Sequence, residues 1–150
     1  MQNEHKLIEK MPSGRLFAYE GRVTIDEHLA GLCTTVSVAK NLIPTVGRVH
    51  MLTQSAADID TLAIGDNGSA RALSDQDLKN RLFTAVPTDS RIVGTKKVME
   101  LFVGINEANF VHREFGAFAG ETLISTLIIA PEFEKTTAKT RTYIWEMGWF

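Results

Sequence analysis

One cysteine, Cys33, is all that the 150 residues contain, so no internal disulfide can form and stability must come from packing or assembly. The expectation for that thiol is an inert, partly buried side chain. Long apolar runs are also missing: nothing approaches the ~18 residues of a membrane-spanning helix. The first ten residues, MQNEHKLIEK, carry charge throughout and lack the apolar core of a signal peptide. The expectation is a soluble protein made in the cytoplasm, with no membrane partner. There is no excess charge of either sign, since 16 Lys and Arg stand against 18 Asp and Glu, for a net charge of −2. The basic residues form no block, which argues against a nucleic-acid partner. No glycine fingerprint with a following Lys-Ser/Thr is present, and Asp58, Asp60, Asp66 and Asn67 lack the 12-residue spacing and terminal Glu of a calcium loop. No cofactor and no metal is expected. His50 has Gln54, not a second ligand, four residues on, and reads as a core or surface histidine.

What is present is enough apolar residue for one folded domain. Hydrophobic content of 44% with 23% charged residues excludes a disordered chain, and a chain of this length buries roughly 70% of its unfolded surface. The organising stretch is Asn106 to Phe118, NEANFVHREFGAF, where a strand pattern meets a turn and the carboxylate of Glu114 sits among Phe110, Phe115 and Phe118. A lone carboxylate there would cost several kcal/mol unless hydrogen-bonded or paired, so Glu114 is expected to be structural. After it the turn Ala119-Gly120-Glu121 and the runs Leu123-Ile124 and Leu127-Ile129 complete a hairpin.

The remaining elements follow from period and punctuation. Thr34 to Lys40 alternates as a strand, and Pro44 suits the first turn of a helix over Thr45 to Ala57, in which Gly47 is a weakness of about 1 kcal/mol. Thr61 to Ile64 is a short strand closing on Gly65. Ser74 to Asn80 reads as a short helix capped by Ser74. Leu82 to Pro87 and Lys96 to Val103 are expected to pair as one long hairpin across a polar loop, Thr88 to Gly94. At the end of the sequence Tyr143, Trp145, Met147 and Trp149 fall on one face at period two, a core or a subunit seam. Residues 1–35 settle into no single period: Arg22 to Ile25 suggests a strand and Asp26 a cap for one helical turn, within an extended arm. Its Leu7, Ile8, Leu16, Phe17 and Tyr19 would be hidden on another subunit or on its own domain. The expected fold is thus mainly β, an antiparallel β-sandwich over residues 36–150 with one covering helix and an N-terminal arm over residues 1–35.

The order of these signals resembles the small tail-fibre or fibre-anchoring proteins of tailed bacteriophages. The resemblance rests on Asn41 with Gly47-Arg48, Ile64-Gly65, Ser74-Asp75 with Leu78 and Asn80, Glu107-Ala108-Asn109, Glu114-Phe115-Gly116-Ala117-Phe118, Thr122-Leu123, Lys135-Thr136 and Trp145. It covers about residues 41–150, and each piece is short. Where the related pattern continues from Leu-x-Asn into Glu, an aliphatic, an aromatic and Arg, this chain has Arg81, Leu82, Phe83 and Thr84, so Arg81 is the expected partner of Glu114.

The resemblance implies a virion protein without catalysis, an adaptor or anchor for fibres at the tail, baseplate or collar. Partners would be fibre, baseplate or collar components and further copies of the chain. It implies structural roles for Gly65, Asn80, Arg81, Glu107, Asn109, Glu114, Gly116 and Phe118, and the arm and aromatic strand point to an assembly interface of Leu16, Phe17, Tyr19, Trp145, Trp149 and Phe150. Because the sequence closes soon after its Trp strand, a fibre shaft is not expected in it. A capsid or collar decoration protein is the alternative within the structural class. A small hydrolase or lyase would have to use Glu107, His112 and Glu114, with 112 and 114 sharing one face of a strand.

Overall fold

A computed structural model describes the backbone of residues 6–10, 16–53, 58–94 and 96–149, and the side chains of these except 6–10, 16–20, 51–53, 131–133 and 149. The elements in chain order are β1 (Lys6–Lys10), β2 (Leu16–Leu29), β3 (Leu32–Lys40), α1 (Thr45–Thr53), β4 (Thr61–Gly65), β5 (Arg81–Ala85), β6 (Asp89–Val93), β7 (Lys96–Val103), β8 (Val111–Ala119), β9 (Thr122–Glu134) and β10 (Lys139–Trp149). They form two antiparallel sheets. One runs β1-β2-β10-β7-β6, with β3 continuing the β1 edge of β2; the other runs β5-β4-β8-β9.

Alternation dictates which side chains meet between the sheets. Val23 and Ile25 of β2, Met99, Leu101 and Val103 of β7, and Tyr143, Trp145 and Met147 of β10 face Leu62 and Ile64 of β4, Phe115 and Ala117 of β8, and Leu127 and Ile129 of β9. Phe115 stacks on Tyr143 with centroids 4.9 Å apart, and the Trp145 indole N–H donates to Ser125 Oγ at 2.8 Å. The fold is therefore the expected sandwich.

The far side of the second sheet is covered too, which is why β8 is buried on both faces. Ala63, Phe118 and Leu123 pack there with Leu78 and with Val46 of α1. The helix sits close because Gly47 has no side chain: a Cβ built there would stand 3.0 Å from the Ile124 carbonyl carbon, and closer still to its oxygen. What reads in sequence as a helix weakness is a backbone-to-backbone contact.

Several expectations are corrected. The boundary near residue 35 does not hold, because β2 is an interior strand flanked by β10 and β3, and Val23 and Ile25 are each only 1% exposed. Asp26 caps no helical turn; it lies within β2 and accepts a hydrogen bond from Thr35 Oγ1 across the ladder. β5 pairs with β4, while the presumed loop contains β6, the actual hairpin partner of β7. The physical reason is burial: Phe83 and Ala85 of β5 pack against the core, and β6 is an exposed edge. Ser74 to Asn80 is an irregular loop, because the amides of Leu78, Lys79 and Asn80 go to the carboxylates of Asp77 and Glu114 rather than to helix carbonyls.

Candidate functional site

Glu114 is fully buried on the face of β8 turned away from the first sheet, and its carboxylate is saturated. Oε1 accepts from Lys79 N at 2.6 Å and Arg71 Nη1 at 2.9 Å; Oε2 accepts from Asn80 N at 2.9 Å and Asn67 N at 3.0 Å. Loop 66–80 thus wraps an anion with its own backbone donors, an arrangement that stabilises the charged carboxylate. Arg71, whose side chain is 4% exposed, turns its other nitrogens to Ser69 O and Asn67 O. Gly65 lets the carboxylate in, since a Cβ there would lie 2.7 Å from Glu114 Cγ and against Asn80 O. Asn80 Nδ2 ties the loop's ends by donating to Asp66 Oδ1 at 2.6 Å.

Arg81 is not the partner of Glu114. It pairs with Asp77 at 2.8 Å and lies 4.2 Å over the Phe118 ring. β4 separates Arg81 on β5 from Glu114 on β8, and Arg71 reaches the carboxylate from the loop above instead. Gly116 lies under Leu78, where a Cβ would be 2.9 Å from Leu78 Cδ2.

A second polar centre lies at one end of the sandwich, with the opposite sign. The buried Lys135 ammonium donates to Asn109 Oδ1 at 2.7 Å, Glu107 O at 3.0 Å and Thr136 O at 3.1 Å. Burial pulls its pKa below the ordinary lysine value. The loop it holds is braced by Gly104 N donating to Glu107 Oε1 and by Asn109 Nδ2 donating to Ile105 O. Beside it His112 bridges Ala108 O at 2.8 Å and the Tyr143 hydroxyl at 2.5 Å. A carbonyl only accepts, so Nε2 carries the hydrogen and Nδ1 receives the Tyr143 hydroxyl's hydrogen. Burial, reinforced by the Arg141 and Lys135 charges, lowers the His112 pKa to about 4. Burial likewise raises that of Tyr143. Arg141, also buried, directs Nε and Nη2 onto Glu27 Oε2, both at 2.9 Å.

The three residues considered for catalysis are not brought together. The β8–β9 register shifts between His112, opposite Phe133, and Glu114, opposite Ile128. His112 consequently faces the first sheet and Glu114 the covering loop, contrary to the shared face expected of them. Glu107 holds Gly104 N with its carboxylate.

Of the expected interface residues, Trp145 is buried in the protein's own core because its face of β10 meets the second sheet. Leu16, Phe17 and Tyr19 lie on β2 and Trp149 pairs through its backbone with Tyr19, their side chains being outside the described set; Phe150 lies outside the described residues altogether. Cys33 is exposed rather than partly buried, because it lies beside the β2–β3 turn, beyond the covering sheet. Arg71, Asn67 and the His112–Tyr143 pair went unrecognised in the sequence. The available signal was indirect: a buried carboxylate demands donors, but nothing in the spacing names them.

Among the described residues no group of three or more His, Cys, Asp or Glu is placed to hold a metal ion, and no helix is long and apolar enough to cross a membrane. Comparison with protein-family models, characterised proteins and solved structures gave no match.

Proposed function

We propose that the protein is a structural component of a tailed-phage virion, an adaptor that seats fibres at the tail, baseplate or collar and meets further copies of itself there. The observation that carries this reading is the β1–β2 hairpin. The ladder between β2 and β10 runs from Leu29 to Tyr19, whereas pairing with β1 continues to Leu16. That hairpin places β1 at the edge of the first sheet, and its sequence holds Leu7, Ile8, Leu16, Phe17 and Tyr19. An edge hairpin of this kind suits strand or side-chain exchange with a neighbour. The outer face of the first sheet adds apolar area, with Val38, Val93 and Phe102 all exposed. Glu107, His112, Glu114 and Lys135 are meanwhile engaged in internal hydrogen bonds that hold loops in place.

The test is deletion of residues 1–15, which leaves β2 whole. The shortened protein should fold with its sandwich intact and fail to enter particles. Normal incorporation would remove the hairpin from assembly, and absence of the full-length protein from purified virions would defeat the adaptor reading itself.

A further inference from the structure

We propose that protonation of His112 opens the loop at residues 104–110 while the sandwich stays folded, making this end of the molecule an acid-sensitive switch. In the closed loop Nε2–H donates to Ala108 O and the neutral Nδ1 accepts from the Tyr143 hydroxyl. A second ring proton, on Nδ1, would force that hydroxyl to turn from donor to acceptor and take its own hydrogen off the ring within a buried site. The added charge would also be badly placed. Arg141 and Tyr143 face the ring from β10 and Lys135 from the turn before it, while the nearest carboxylate, Glu27 on β2, is already engaged by Arg141 and by Lys139 at 3.3 Å. Glu107, the loop's own carboxylate, holds Gly104 N.

The loop that would yield is under tension. Ala108 has a φ of 48°, a left-handed conformation that a residue with a Cβ adopts at a cost. Its carbonyl receives both Phe110 N and His112 Nε2, and the latter bond ties the strained residue to β8. Once the loop lifts, the ring regains water and returns toward the ordinary histidine pKa of 6.5 from about 4. The open form then binds the proton more tightly than the closed one, and the opening equilibrium grows by about 30-fold between pH 7.5 and pH 5.

Amide hydrogen exchange on the full chain at pH 7.5 and 5.0, corrected for intrinsic chemistry and repeated in low urea, tests this. The loop reporters are the amides of Glu107, Phe110 and Lys135, which donate to Gly104, Ala108 and Phe110 carbonyls; Leu62 and Trp145 report the core. Expected is a roughly 30-fold loss of loop protection at pH 5, with less urea dependence than the core amides show, and no such loss in His112→Gln. Loop protection that does not change with pH, or that matches the core in size and urea slope, would overturn the proposal, as would the same loss in His112→Gln. Should that variant not fold, the urea slopes of the unmodified protein decide alone.

Discussion

Two loops, 66–80 and 104–110, are each gathered around one buried charge, but with opposite polarity. Around Glu114 the chain turns its N–H groups inward; around Lys135 it turns carbonyl and amide oxygens inward. The first centre includes a countercharge, Arg71, carried by the loop itself, so the pair is buried as a neutral unit. Lys135 is held by dipoles alone, and burial, with Arg141 as a like charge nearby, lowers its pKa. A loop that supplies its own counter-ion therefore depends on its anchor more completely than one that supplies only dipoles, because removing the anchor strands a charge as well as hydrogen bonds.

That difference orders the expected effects. Glu114→Ala leaves three backbone donors and the Arg71 guanidinium without their acceptor, and should destabilise the protein by about 4 kcal/mol in urea unfolding. Lys135→Met removes a donor but also the cost of burying a cation, and should cost about 2 kcal/mol. If the lysine variant proves the more damaging of the two, the comparison fails.

Acid sharpens the contrast further. The folded His112 value lies below the ordinary 6.5, so the unfolded chain takes up the proton first. Its contribution is complete above pH 6.5, declines as pH falls through the window down to about 4, and is then lost. A decline of about 2 kcal/mol between pH 7 and pH 5 is expected from this group. His112→Gln should remove that slope, which denaturant titration at several pH values would show. The smallest effect belongs to Arg81→Ala, at about 1 kcal/mol or less, because its pair with Asp77 is half-exposed and its contact with Phe118 is a modest cation–π interaction. A loss as large as that of Glu114→Ala would show Arg81 supporting the anchor after all.

The parts of this architecture legible in the sequence are those with a period. The β8–β9 hairpin, the aromatic face of β10 and the start of α1 at Pro44 all follow from alternation, turn residues and helix punctuation. The need of Glu114 for partners was legible from the cost of burying a carboxylate among phenylalanines. Arg71 was not, because loop 66–80 has no repeat, and its position is fixed by tertiary hydrogen bonds alone. β2 was legible only as the short strand Arg22 to Ile25, and its full length was missed for a different reason: its Arg22, Thr24 and Asp26 point outward beside Gly21, so only Val23 and Ile25 mark the core face. β6 was missed because all five of its residues are exposed and carry no burial signal.

The contact of Gly47 with the Ile124 backbone gives α1 a fixed seat. Ordinarily a glycine inside a helix is an opportunity, and replacing it with alanine gains stability. Here the methyl group would strike a main-chain carbonyl that has no rotamer to change, so the helix as a whole would have to lift from β9. Just upstream, the paired hydrogen bonds between Leu42 and Thr126 fasten the incoming chain to the same strand. Helix and crossover are thereby keyed to β9 at two successive points, like a bolt with two lugs, and neither can slide or rotate without drawing the other.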